Sequence, residues 1–311
     1  MKTNLKLSTL LLFFFSMAAL SPVFAQVKTL VDVTKSFSGI NKIEVSGGQL
    51  EVEYIGGSQT DVSVNAFLES TNSDQDIVFV TLGDVLKISH KVSNNNNWNN
   101  KTKGHIKIKG PVGMSLDMKG GSGSVYVENV SSETTNLAVG SGSVSAKDIR
   151  GDVSANAGSG SIKMYGIQGN VQGQVGSGSA DMQDINGNIN YSSGSGGISV
   201  MGVQGIVNVS LSSGNAKLEN VSELGDLKVT SGNVSATNAG LGTETRFSGT
   251  SGNFKIQTPS NLREFNFNLN ATSGNITVGN SKGGRNLNID NGASTEIRGN
   301  ITSGNISIVN Q

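Results

Sequence analysis

Ser141-Gly142-Ser143-Val144-Ser145-Ala146-Lys147-Asp148-Ile149-Arg150-Gly151-Asp152-Val153-Ser154-Ala155-Asn156-Ala157-Gly158 is one turn of a pattern that starts again at Ser159-Gly160-Ser161-Ile162. The tripeptide Ser-Gly-Ser, Ser-Gly-Asn or Ser-Gly-Gly recurs with its glycine at Gly123, Gly142, Gly160, Gly178, Gly196, Gly214, Gly232, Gly252, Gly274 and Gly304. The gaps are 19, then 18 five times, then 20, 22 and 30 residues. A fixed period of this size marks a solenoid, in which each coil is too small to fold alone and buries its apolar side on its neighbours.

Counting the glycine as position 1, position 3 is apolar in every coil, from Val125, Val144 and Ile162 to Phe254, Ile276 and Ile306. Position 5 is apolar as well, from Val127, Ala146 and Met164 to Ile256, Val278 and Ile308. Position 4 between them is Tyr, Ser, Lys, Asp or Thr, so the period is two and these are strands with positions 3 and 5 inward. Position 7 of the first seven coils holds Asn129, Asp148, Gly166, Asp184, Gly202, Asn220 and Asn238. Only Gly, Asn and Asp enter the left-handed backbone region readily, so this column reads as a bend rather than a row of ligands. Position 8 is apolar again, as at Ile149, Ile167 and Ile185.

Glycines also recur at half the period, every nine residues from Gly142 to Gly214. Each coil therefore carries a second strand, with inward residues such as Val153, Val171, Ile189 and Val207. The expected fold is all-β: a parallel β-helix with coils of about 18 residues, two strands per coil, spaced about 4.8 Å apart and wound right-handed.

Residues 120–311 form the repeat region and 26–119 an N-terminal β-strand region. Alternation there predicts strands at Lys42–Ser46, Gln49–Tyr54, Asp61–Phe67, Ile77–Thr81, Val85–His90, His105–Lys109 and Ser115–Lys119. These are expected to cap the first coil, because raw strand edges invite pairing with other chains. Asn94–Asn100, with Trp98 inside it, reads as a loop. At the other end Ile306–Val309 is followed only by Asn310 and Gln311. The sequence thus predicts an open C-terminal edge, covered by the insert between Gly274 and Gly304 or used in weak end-to-end self-association of an otherwise monomeric protein.

Met1–Ala25 has the form of a secretory signal peptide: Lys2 and Lys6, the apolar Leu10–Leu20 and the small-residue site Val23-Phe24-Ala25. No other segment is long and apolar enough for a membrane-spanning helix, and with no cysteine there are no disulfides or thiolate chemistry. Of the 23 basic residues two lie in the leader, leaving 21 against 23 acidic ones. No basic stripe is present to follow a nucleic acid.

Several chemistries are excluded by position. A calcium β-roll needs an aspartate column, but the equivalent sites hold Lys147, Asn156, Tyr165, Gln174, Gln183 and Ser192. A glycosidase needs two carboxylates about 5–10 Å apart, whereas Asp181 and Glu219 are two coils apart in different columns. Glu128, one coil from Lys147, reads as an exposed ion pair. His90 and His105 lack an acidic or thiol partner for a metal site. No catalytic, cofactor or metal residue is assigned.

Outward residues differ between the two strands. The first carries Tyr126, Lys147, Lys163, Tyr165, Asp181, Lys217 and Glu219, the candidate binding face. The second is nearly uncharged, with Asn136, Ser154, Asn156, Gln172, Gln174, Asn190, Ser192, Asn208 and Ser210. Such amides either bind sugars or simply solvate the sheet and stack in ladders.

The start Phe37-Ser38-Gly39-Ile40-Asn41-Lys42-Ile43-Glu44-Val45, the step Gly110-Pro111-Val112 and the Ser-Gly-Ser/Asn coils together resemble a bacterial adhesin-type family of unknown function, which includes the head-GIN domain of Bacteroidetes. The resemblance implies a parallel β-helix, an adhesin role and no catalytic residues. The expected protein is non-enzymatic and exported, to the periplasm, cell surface or outer membrane, presenting a repetitive face to glycan or envelope partners. A polysaccharide-acting enzyme and a purely structural scaffold are the alternatives.

Overall fold

The structure, a computed structural model, describes residues 26–93 and 101–311. The leader and the Asn94–Asn100 loop lie outside the described residues. Eight strands precede the repeat: β1 (Lys28–Phe37), β2 (Lys42–Ser46), β3 (Glu51–Gly57), β4 (Val62–Ser70), β5 (Gln75–Leu82), β6 (Val85–Val92), β7 (Thr102–Pro111) and β8 (Ser115–Gly120). The regular coils comprise β9 (Val125–Val139), β10 (Ser143–Ala157), β11 (Ser161–Gln168), β12 (Val171–Ser177), β13 (Ala180–Asn186), β14 (Ile189–Ser195) and the long winding β15 (Ile198–Thr258). The last are β16 (Phe265–Ser273), β17 (Ile276–Val278), β18 (Ser281–Gly283), β19 (Asn286–Ile289) and β20 (Thr295–Asn310). Among the described residues the only helical piece is a 3-10 turn, Leu262–Glu264. The fold is all-β.

Parallel pairing joins each coil to the next at the expected offset. On the front ladder Val144 faces Ile162, Ile162 faces Ala180 and Ala180 faces Ile198. On the back ladder Val153 faces Val171, then Ile189, then Val207. All position-3 and position-5 side chains are buried, and so is position 8 from Val130 to Ala239. Each buried Val or Ile contributes about 1.5–3 kcal/mol, several times an exposed ion pair. The apolar columns therefore hold the stack together. The bend column behaves as its residue types require: φ is 57° at Asn129, 54° at Asp148, 67° at Gly166, 56° at Asp184 and 71° at Gly202.

The motif glycines have a second reason, which the period alone does not disclose. A Cβ on Gly196 would run into the carbonyl oxygen of Gly178, and one on Gly214 into that of Gly196. At this corner the stacked glycines leave no room for a side chain. Beside it, at position 2, asparagines form a ladder. Asn215 Oδ1 accepts from Asn233 Nδ2 at 3.1 Å, and Asn233 Oδ1 from Asn253 Nδ2 at 2.8 Å.

The expected open C-terminal edge is corrected by the structure. β20 does not stack beyond the Gly274 coil but lies between it and the Gly252 coil. Phe254 faces Ile306 on one side, and Ile276 faces Ile306 on the other. The same order appears in the ladder, where Asn253 Oδ1 accepts from Asn305 Nδ2 at 2.8 Å and Asn305 Oδ1 accepts from Asn275 N at 3.0 Å. Both edges of β20 are paired. The end of the stack is the coil of β16 and β17, and the insert covers that one: β18 pairs antiparallel with β17 and β19 with β16. Phe247, Phe265, Phe267 and Leu269 are buried here, thickening the core.

The N-terminal end is interleaved in the same way. β3 lies between β7 and β9, and β2 lies between β6 and β8, all in parallel. β4 and then β1 add antiparallel to the front ladder, and β5 adds antiparallel to the back. Phe37 of β1 and Phe79 of β5 meet with ring centroids 6.0 Å apart, which draws the two ladders together over the core. β1 was not among the expected strands.

Candidate functional site

Alternation places all seven candidate residues on the outer side of the front ladder, at positions 4 and 6. They fall into three groups rather than one cluster. At the N-terminal side Tyr126 donates its hydroxyl to Glu128 Oε2 at 2.6 Å, and Lys147 Nζ, one coil on, meets Glu128 Oε1 at 2.8 Å. Glu128, the hub, was read only as an ion-pair partner. The Lys147 ammonium and then the Tyr126 hydroxyl hold its carboxyl below the usual range. Tyr126 is pushed up to about 12, first by burial and then by the Glu128 carboxylate.

Lys163 and Tyr165 come next, on β11. Tyr165 is 47% exposed, packed one coil from Lys147 in the same column. Asp181 lies opposite Lys163, without an ion pair between them, and accepts from Gln183 Nε2 at 3.1 Å. Farther along, Lys217 pairs with Glu219 at 2.8 Å. Asp181 and Glu219 are thus in separate contacts, each satisfied by a neighbour on its own strand.

Two features were missed. Met201 is 41% exposed and shares the column of Tyr165, with Gln183 between them. It was legible as an apolar residue at an outward position. The second is a groove of about 660 Å³ running across coils, between the asparagine ladder (Asn215, Asn233) and the column of Asp181, Ser199, Lys217 and Ser235. Its signal was the change from Ser-Gly-Ser to Ser-Gly-Asn.

Both histidines sit near the N-terminal cap. His90 Nε2 is 2.9 Å from Gln75 Oε1, whose amide nitrogen donates to Ser70 Oγ at 3.1 Å and Thr102 Oγ1 at 3.0 Å. Burial pushes the His90 pKa down. His105 bonds Asn65 Oδ1 at 2.8 Å and stacks on Phe67. Among the described residues no three His, Cys, Asp or Glu side chains converge as metal ligands, and no helix is long and apolar enough to cross a membrane.

Fold and surface define a class: a capped stack of parallel β-coils whose outward residues form side-chain columns. The chain belongs to the Toastrack DUF4097 family, whose profile matches residues 40–309. No curated protein matches it. Crystal structures to which it is similar include a candidate lipid-binding protein from Parabacteroides distasonis ATCC 8503, with 17% identity, 89% of this chain and 96% of that one covered, and a TM-score of 0.44. Another is a candidate adhesin from Bacteroides fragilis NCTC 9343, with 14% identity, 91% and 97% covered, and a TM-score of 0.27. A candidate cell-adhesion protein from Clostridium sporogenes ATCC 15579 gives 10% identity, 92% and 100% covered, and a TM-score of 0.25. None of these likenesses is close enough to carry a function over.

Proposed function

We propose that this protein is a non-enzymatic, exported adhesin-type solenoid that presents its front ladder to glycan or envelope partners, in the periplasm or at the cell surface. Its coils wind right-handed and it works as a monomer. The observation that supports this reading is the series of outward residues from Tyr126 to Glu219, carried on a buried core, with Tyr165 and Met201 exposed. Side chains held on a rigid lattice lose little freedom when a partner binds. An exposed aromatic among polar groups is a common centre for recognition.

The carboxylates favour binding over hydrolysis. A glycosidase acid must hold a proton near neutral pH. Glu128, the carboxylate at the centre of the Tyr126–Lys147 contact, is instead held ionised by Lys147. Purified protein screened on a glycan array, and on outer-membrane and periplasmic fractions, should bind a restricted set of partners. Tyr165→Ala should reduce that binding without altering the melting temperature. Release of reducing ends from any polysaccharide, lost in Asp181→Asn or Glu219→Gln, would replace this reading with an enzymatic one.

A further inference from the structure

The back ladder carries a groove of about 330 Å³ that runs across four coils. One wall is the column Gln172, Asn190, Asn208 and Asp226. The other is Gln174, Ser192, Ser210 and Lys228. Its floor is the strand backbone at Gly173, Tyr191 and Val209. Tyr191 and Val209 turn inward and are buried. A Cβ on Gly173 would meet the Tyr191 ring at 3.0 Å and Met182 Cε at 2.9 Å, so glycine there makes room for the ring.

The walls are partly committed and partly free. Asn208 Nδ2 donates to Asn190 Oδ1 at 2.9 Å, and Asp226 N donates to Asn208 Oδ1 at 2.7 Å. These bonds engage both ends of the Asn208 amide and Oδ1 of Asn190, while the Asn190 side-chain amide nitrogen makes no hydrogen bond among the described residues. Gln172, Gln174, Ser192 and Ser210 make no side-chain hydrogen bond among the described residues, and Asp226 and Lys228 make no ion pair there. The first three coils of the groove are uncharged. Charge enters only at the fourth.

From this arrangement we infer that the back groove binds a neutral, linear glycan lying along the stack axis. This rests on the binding reading above but places a separate site on the opposite ladder. A polymer with a hydroxyl on each unit matches donors and acceptors that repeat at every coil. From first coil to fourth the groove spans about 14 Å, the length of a short run of pyranose units. A protein partner fits poorly, because interface centres are apolar and well packed, and among the described residues the large exposed apolar side chains lie elsewhere. A polyanion would need more than Lys228.

The test is calorimetry of purified protein with neutral hexasaccharides of glucose, mannose and xylose, their shorter homologues, and oligogalacturonate as the charged control. Binding should strengthen with chain length up to about four units and then level off. The double variant Gln172→Ala/Gln174→Ala should weaken it at least about tenfold. Ser192→Glu, which adds charge without touching the core, should do the same. Lys255→Ala, an exposed front-ladder residue outside both proposed sites, should leave it unchanged. The inference falls if no neutral oligomer binds, if oligogalacturonate binds better, or if the back variants have no effect. Loss in Tyr165→Ala alone would sink this groove while upholding the front-face reading.

Discussion

Gly304 lies in register with Gly252, although the motif that precedes it in the chain is that of Gly274. A Cβ on Gly304 would strike the carbonyl of Gly252, and one on Gly274 would strike that of Gly304. The final strand is therefore an internal member of the stack, hydrogen-bonded along both sides.

Ile308→Pro tests that position. Proline removes a backbone donor from a strand with no free edge, so stability should fall by about 1–3 kcal/mol. Hydrogen exchange at Ile276–Val278, which pairs with β20, should accelerate in the same variant. Unchanged protection there would mean that β20 sits at an outer edge.

Ile167 is fully buried in the position-8 column, whereas Lys163 points outward. Ile167→Asp should cost roughly 3–5 kcal/mol through an unpaired buried carboxylate. Lys163→Asp should change the melting temperature little. Equal melting temperatures would show that the inward and outward columns are misassigned.

At Gly202 φ is 71°. Gly202→Asn should be tolerated, since Asn220 and Asn238 adopt the same conformation in the same column. Gly202→Val should cost at least about 1–2 kcal/mol, because a β-branched side chain clashes in this region. Chemical denaturation of the two variants side by side gives the comparison.

His90 makes stability depend on pH. Its folded pKa lies below the ordinary imidazole value of about 6.5 because burial disfavours the charged ring. The unfolded chain therefore binds a proton first, and stability falls as pH drops below 6.5 towards the folded value. His90→Gln should flatten the melting temperature between pH 7 and 5. An unchanged slope would place the acid sensitivity on another group.

Much of this was legible because single columns carry single physical demands. Asn129, Asp148 and Gly166 share little but tolerance of positive φ, and that was enough to locate the bend. Val144 and Ile162 alternate with polar residues, which fixed the inward face. Coil order was not legible, for a reason visible in the residues themselves. Ser273-Gly274-Asn275-Ile276 and Ser303-Gly304-Asn305-Ile306 are the same tetrapeptide, so either fits on Phe254 equally well. The choice is settled by β18 and β19, short strands that pair only with β17 and β16. On the front ladder, Tyr126 and Glu128 were placed by alternation two residues apart. The commitment of Glu128 to both Tyr126 and Lys147 depends on side-chain reach, which a column does not specify.

The interleaved ending also bears on how the molecule is made. Synthesis delivers the Gly274 coil before the strand that must separate it from the Gly252 coil. During that interval the two coils present matching tetrapeptides, Ser251-Gly252-Asn253-Phe254 and Ser273-Gly274-Asn275-Ile276, and can zip together into a stack one storey short. Such a decoy keeps its apolar columns aligned and its asparagine ladder continuous, and leaves residues 295–310 dangling. The observed order then requires β20 to enter between the two coils after both have been made.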